Sequence, residues 1–301
     1  MLLYCFCLSS STLIEGEVYM RQKVRELISV SPFIGLALLI NVVIIVVPAF
    51  LTITLAFFEW DGLGSMRFVG VANFRSIFSQ PIFLRAIGNN IIWMVIFMTI
   101  PMAIGLVVAE LLRRTRWLFL KAIYFIPSTL AIVVIAFVWS YIYHPIRGLG
   151  ALVGLPPVLG LPDTALYAIA FTNIWAWWGF LCAVFHSAIQ GISLELYDAG
   201  ALDGATRWQE FWYITLPQIK PNIVFMSIMT IIWSFQVFDW VWVTTEGGPG
   251  GATELLATLL FRRGFHARIL GEAAAIGVII SLLGILAINL LFYLQRKGAE
   301  V

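Results

Sequence analysis

The side chains that could carry out catalysis are few and scattered in this chain. His144, His186 and His266 lie far apart and form no metal-ligand spacing. Cys5, Cys7 and Cys182 suit no disulfide framework, and Cys182 falls where a small apolar filler is wanted. There is no Gly-x-x-x-x-Gly-Lys-Ser/Thr phosphate loop, no His-Glu-x-x-His pair and no Gly-x-Ser-x-Gly nucleophile turn. No catalytic residue, metal site, cofactor or nucleic-acid partner is therefore expected. One stretch is dense instead. It reads Asp198-Ala199-Gly200-Ala201-Leu202-Asp203-Gly204, then nine residues, then Ile214-Thr215-Leu216-Pro217. Asp203-Gly204 marks a turn between two short helices. Thr206 and Gln209 have the Thr-x-x-Gln spacing of a capping box, which starts the second helix near Arg207. Trp208, Phe211 and Trp212 then share one face. Pro217 ends that helix and Pro221 opens the next. Gly200, inside the first helix, costs about 1 kcal/mol of helix propensity and softens it. The chemistry on offer is mechanical: a bent pair of helices presenting apolar residues to something outside a membrane. The plain alternative is an amphipathic loop lying on the bilayer surface.

The elements that position this elbow are membrane spans. Of 301 residues, 61% are hydrophobic and 11% charged, against about 25% charged in a soluble domain. Mean hydropathy is +0.96, and the net charge of +2 says nothing about partners. Apolar runs occupy residues 31–57, 89–112, 122–143, 165–187, 221–243 and 273–294, called spans one to six below. Each is near or above the ~20 residues that cross ~30 Å of hydrocarbon as a helix. The expected fold class is all-α, a polytopic membrane protein with six transmembrane helices. Arg21, Lys23 and Arg25 precede span one, Arg113, Arg114, Arg116 and Lys121 crowd the loop between spans two and three, and Arg296 and Lys297 follow span six. The positive-inside rule places all of these, and both termini, in the cytoplasm, and the parity of the spans puts the elbow there too.

Smaller features accompany the spans. Phe74, Ile77 and Phe78 form a short amphipathic face suited to the interface. Trp60, Trp240 and Trp242 stand where an aromatic belt is expected at outer span ends, and Arg262, Arg263 and Arg268 occupy an outer loop against the charge rule. Ala273, Gly277 and Ser281 recur at four-residue spacing, a surface for close helix packing. Glu110 is expected to pair with Arg114 one turn on. Asp239 is the one acid well inside an apolar run; near the outer end of span five its burial costs less than the ~3 kcal/mol expected at mid-bilayer.

The 198–217 stretch resembles the coupling loop of ABC importer permeases, Glu-Ala-Ala, three residues, Gly, nine residues, Ile-x-Leu-Pro. Asp198 stands for the usual Glu and Gly200 for the second Ala, and the spacing is unbroken. Phe68-Val69-Gly70 with Asn73-Phe74, Phe238-Asp239, and Thr245-x-Gly247-Gly248-Pro249 with Thr253 extend the resemblance to the sugar-importer branch, the subunit type represented by the larger maltose-transporter permease. The resemblance implies a type I importer fold in its plainer six-span form. A cytoplasmic tail over residues 1–28 is expected, and the basic start at Met20-Arg21-Gln22-Lys23 reads residues 1–19 as either an over-extended reading frame or a disordered tail. A six-span permease over 29–301 follows, with its transmembrane core at about 85–295. The implied partners are a second permease subunit, two ATP-binding subunits, an extracytoplasmic substrate-binding protein, a sugar and membrane lipid. Asp198, Ala199, Gly200, Asp203, Gly204 and Pro217 would couple to the ATPase, and Gly247, Gly248 and Pro249 would face the binding protein. Asn173, Trp175, Trp177, Phe180, Thr230 and Ser234 fall in the sugar-contacting stretches of that family. Asp239 would pair with the partner permease or touch substrate. Trp177 replaces a glycine of the maltose subunit and Phe180 a tyrosine, which argues against a maltose-like pose.

Three other classes compete. A glycerol-phosphate permease of the same branch would want a basic residue facing the pathway, and the spans hold no obvious one. A self-contained secondary transporter would show repeats or broken helices at the midplane. A membrane enzyme would need polar groups paired across spans, for which few candidates exist.

Overall fold

A backbone crossing hydrocarbon has no water to bond with, so apolar runs of this length fold as helices whose amides pair internally. The computed structural model describes residues 34–114 and 118–299. The expectations for the N-terminal tail and for Arg116 lie outside the described residues. Contacts divide the chain after Thr54 into two units. The first contains span one, helical over Ile34–Leu55 with a wider turn at Val42–Val46. Thr52 and Thr54 return their hydroxyls to the carbonyls of Pro48 and Phe50, one turn back, which hides them from an apolar solvent.

The second unit runs from Leu55 onward. Span two is a single helix of 33 residues, Pro81–Arg113, roughly 50 Å long at 1.5 Å per residue, so it outreaches the hydrocarbon. Span four, Pro162–Gln190, packs along it. Gly105 marks their close approach, because a Cβ there would lie 2.9 Å from Leu181 Cβ. At Gly179 a side chain would run into the Tyr124 carbonyl of span three. Small residues at these crossings let membrane helices approach without a gap. Span six is the helix Leu270–Ala299.

Spans three and five are not continuous. Helix Leu118–Thr129 stops and Ile132–Ile142 starts, with an angle of 107° across the break. Pro127 removes one amide donor from the last turn, and the Ser128 and Thr129 hydroxyls donate to the Phe125 and Ile126 carbonyls at 2.7 Å each. In span five, Lys220–Gln236 ends at an extended Val237, and a short helix resumes over Asp239–Thr244. Among the described residues, four helices are long and apolar enough to cross a membrane unaided, those of spans one, two, four and six. Among the described residues all six expected runs are helical; those of spans one, two, four and six are continuous, and those of spans three and five are interrupted. Hydropathy runs through both breaks because Leu130-Ala131 and Val237-Phe238 are themselves apolar.

The end of the bundle away from the elbow is built from buried amides. Asn73 donates to the Ala56 and Phe58 carbonyls at 2.9 Å each, tying helix Ala72–Phe78 under a two-stranded hairpin, Phe58–Glu59 with Arg67–Phe68. Asn89 donates to the Ala252 and Glu254 carbonyls, and Asn90 donates to Ser234 and accepts from the Leu256 amide. The Phe74-Ile77-Phe78 face does not lie free at an interface. Ile77 is buried and Phe74 packs beside it against span six, because the core below claims that face; Phe78 alone stays exposed. Trp240, assigned to an aromatic belt, is a core residue. Two of the three cations that offended the charge rule have local counter-ions: Arg262 meets Glu254 at 3.1 Å and Arg263 meets Glu272 at 3.6 Å.

Candidate functional site

Both helix breaks line one cavity of about 270 Å³. Leu130 and Ile132 come from the break in span three, Val237 and Phe238 from that in span five, and Asn173 and Trp177 from span four. Non-helical backbone persists at membrane depth only where protein buries it or a cavity hydrates it, so the breaks and the cavity explain one another. The walls combine the rings of Phe97, Trp177, Trp233 and Trp240 with the polar groups of Ser128, Asn173, Gln236 and Asp239. Rings cover apolar faces while hydroxyl, amide and carboxylate groups take hydrogen bonds, a lining for a ligand that carries both.

The structure brings together only part of the expected pathway. Asn173, Trp177 and Asp239 line the cavity. Trp175 does not: it is 37% exposed and sets its edge against Trp139 at 5.5 Å between ring centroids. The reason is helical periodicity, since Asn173, Ala176 and Trp177 at i, i+3 and i+4 share a face that Trp175 cannot reach. That spacing was the signal in the sequence that separates the two tryptophans. Phe180 stands behind Trp177, with ring centroids 4.9 Å apart. Thr230 and Ser234 are fully buried, and the Ser234 hydroxyl donates to the Thr230 carbonyl at 2.7 Å, so neither lines the cavity. Trp233, Gln236 and Trp240 do line it and were missed. Trp233 meets Trp177 edge-on at 5.1 Å. The Trp177 indole nitrogen has no hydrogen-bond partner among the described residues.

The elbow's first helix, Leu194–Leu202, is capped by Ser193, whose hydroxyl accepts from the Glu195 amide. Asp203 caps its end and Gly204 turns the chain at φ +77°, a conformation glycine adopts at no steric cost. Thr206 and Gln209 form the reciprocal capping box, and the second helix begins at Arg207. It continues through a wider turn at Phe211–Thr215 and past Pro217, and the chain turns at Ile219. Pro217 sits in the final turn, which ends one residue later at Gln218, as suits a residue with no amide hydrogen to donate. Gly200 does not loosen the elbow: its carbonyl accepts from the Ala205 amide at 2.9 Å and its bare Cα admits the Ile214 side chain. The outward face carries Asp198, Ala199, Leu202 and Asp203, all exposed, with Leu202 at 89%. Glu110, expected to pair with Arg114 alone, meets Arg113 at 2.8 Å and Arg114 at 3.6 Å, and both arginines also hold Glu210 of the elbow.

The loop at the far end is self-bonded. Gly247 has φ +85°, and a side chain there would strike the Glu254 carboxylate. The buried Thr253 hydroxyl donates to the Gly248 carbonyl at 2.7 Å and lies 2.7 Å from the Thr245 hydroxyl. Gly248 and Pro249 are partly covered, and Glu246 and Gly250 beside them are exposed.

Helices that pack through small residues, a cavity at two helix breaks and a protruding helical elbow define a mostly helical, multi-pass membrane protein of the permease class. The chain belongs to the family of binding-protein-dependent transport system inner membrane components, whose model matches residues 101–300. It is 31% identical over 255 residues to the probable ABC transporter permease protein YurN of Bacillus subtilis, covering 80% of this chain and 87% of that one. It is 30% identical over 286 residues to the diacetylchitobiose uptake system permease protein NgcF of Streptomyces coelicolor, covering 88% and 81% of the two chains. The fold matches a chain of a bacterial ABC transporter involved in the import of the acidic polysaccharide alginate, with a TM-score of 0.80 at 20% identity, over 92% of this chain and 98% of that one.

Proposed function

We propose that this chain is the sugar-conducting permease subunit of an ATP-driven importer, with ATP hydrolysis carried out by separate subunits that receive the elbow. The observation that carries this reading is the outward face of the elbow, where Leu202 stands 89% exposed beside Asp198 and Asp203. An apolar knob ringed by acids, held on two short capped helices, is shaped for a cleft in a partner and is a poor surface to leave in water. Asp198, Ala199, Gly200, Asp203, Gly204 and Pro217 form or shape that contact. A second permease subunit completes the pathway, the substrate-binding protein docks near Gly247, Gly248 and Pro249, and both termini lie in the cytoplasm. The transmembrane core is about 85–295.

The substrate is a neutral sugar or oligosaccharide, taken in the cavity beside Asn173, Trp177 and Asp239. The aromatic and amide lining supports this, as does the relative named for diacetylchitobiose uptake. A glycerol-phosphate substrate is disfavoured because no Lys or Arg among the described residues lines the cavity. A self-contained secondary transporter gains support from the two broken helices, which that class also uses, but leaves the elbow's exposed tip without a task. Uptake into proteoliposomes carrying the purified permeases, with and without the ATPase and ATP, separates the readings. Sugar uptake that needs both supports the proposal; uptake that needs neither replaces it with the secondary transporter.

A further inference from the structure

We infer that Glu210 clamps the elbow to the end of span two, so that the two move as one body during the transport cycle. This rests on the reading of the elbow as the coupling element. Glu210 lies on the second elbow helix and is buried. Its Oε2 accepts from Arg113 Nη2 at 3.1 Å and from Arg114 Nη2 at 2.6 Å, across 97 and 96 residues of sequence. Glu110, on span two, accepts from Arg113 Nε with Oε1 at 2.9 Å and lies 2.8 Å from its Nη2, so two carboxylates and two guanidinium groups cancel. The other Glu110 oxygen, Oε2, accepts from the Thr215 hydroxyl at 3.3 Å. Thr215 in turn shares a hydrogen bond of 3.0 Å with the Tyr197 hydroxyl, on the first elbow helix. The Arg113 guanidinium lies over the Tyr197 ring at 3.9 Å. Both elbow helices and span two therefore converge on Arg113.

Neutralising charge does not require this arrangement. Arginines at a span end ordinarily extend toward water or headgroups, and Glu110 alone could hold one of them within its own helix. Instead both side chains turn toward the elbow and share a carboxylate from it. Charge-assisted bonds with fixed guanidinium geometry set direction as well as attraction, which is what a strut needs. Without it, the elbow would meet span two through the Thr215–Glu110 hydrogen bond and through Trp208 and Phe211, which share a cavity with Val107 and Leu111, contacts that fix direction less strictly than paired guanidinium and carboxylate groups. A rigid element with two positions is the physical requirement for coupling distant sites.

The test uses the assembled transporter, purified with its ATPase and reconstituted with its binding protein. Membrane level, ATPase attachment, ATP hydrolysis and sugar uptake are read together. Glu210→Gln is expected to keep level and attachment while lowering uptake per ATP hydrolysed by about tenfold, within the usual range of coupling free energies. The exchange Glu210→Arg with Arg114→Glu is expected to recover most of that loss. Thr215→Val removes the Tyr197–Thr215–Glu110 relay at constant volume and is expected to lower uptake per ATP by about threefold at normal level, a fraction of the same coupling. Normal uptake per ATP in Glu210→Gln overturns the inference. So does an exchange variant present at normal level but as uncoupled as the single one. If Glu210→Gln is lost from the membrane, normal coupling in Thr215→Val reduces the cluster to a fold contact and overturns it too. Failure of the coupling reading itself shows elsewhere: Gly204→Asp would then leave ATPase attachment and uptake normal.

Discussion

A Cβ on Gly200 would lie 2.8 Å from the Cδ1 of Ile214, the nearest heavy atom such a Cβ would meet. The two elbow helices thus touch through a missing side chain. Gly200→Ala is expected to be tolerated, since Ile214 can swing its terminal methyl aside and alanine gains up to about 1 kcal/mol of helix propensity. Gly200→Leu must separate the helices, and uptake is expected to fall at normal membrane level. Wild-type uptake in Gly200→Leu would show that the contact carries no mechanical function.

Gly204 is the complementary case. No heavy atom lies within 4 Å of a Cβ built there, and its φ is +77°. Asp and Asn tolerate this left-handed region better than other residues, so the backbone strain is about 1 kcal/mol. Any larger effect of Gly204→Asp must come from outside the chain. ATPase copurification and uptake are both expected to be lost while the permease stays in the membrane. Retention of both would remove the main support for the elbow as coupling element.

The cavity takes Trp177 and leaves out Trp175, two residues away. Trp177→Phe keeps a ring and most of the packing but removes the indole N–H and part of the stacking face. It is expected to weaken apparent sugar affinity by about 0.5–1.5 kcal/mol, or roughly two- to tenfold. Trp175→Phe is expected to leave the concentration dependence of uptake unchanged. The reverse order of effects would move the pathway to the Trp139 side of span four.

Among the described residues, Asp239 is the one charged residue in the cavity lining. An anionic sugar entering there meets the Asp239 carboxylate, and like charges repel. Asp239→Asn is expected to raise competition by uronic-acid oligosaccharides against a neutral substrate. Unchanged competition would place Asp239 outside the substrate's reach.

Thr253 is buried and bonded to Gly248, so it cannot report on docking at the far loop. Glu246 is exposed and its side chain carries no ion pair among the described residues. A cysteine at Glu246 is expected to crosslink to the binding protein. Labelling of that cysteine from the cytoplasmic side alone would reverse the assigned topology.

Composition and spacing by themselves determined the class of molecule, the placement of six helical runs, the capping box at Thr206–Gln209 and the turn at Gly204. These features are local: hydropathy over about 20 residues, or hydrogen bonds spanning three or four. The tertiary structure decided what depends on direction. Hydropathy could not see that spans three and five break, because Leu130-Ala131 and Val237-Phe238 are as apolar as the helices they interrupt. It could not see that the breaks meet in one cavity, or that Thr230 and Ser234 turn away from it. Arg113, Arg114 and Glu110 read as a local charge pattern until Glu210 arrives from across the fold. A carboxylate about a hundred residues away leaves no mark on the periodicity of span two; only the packing of the elbow against that span brings the charges together.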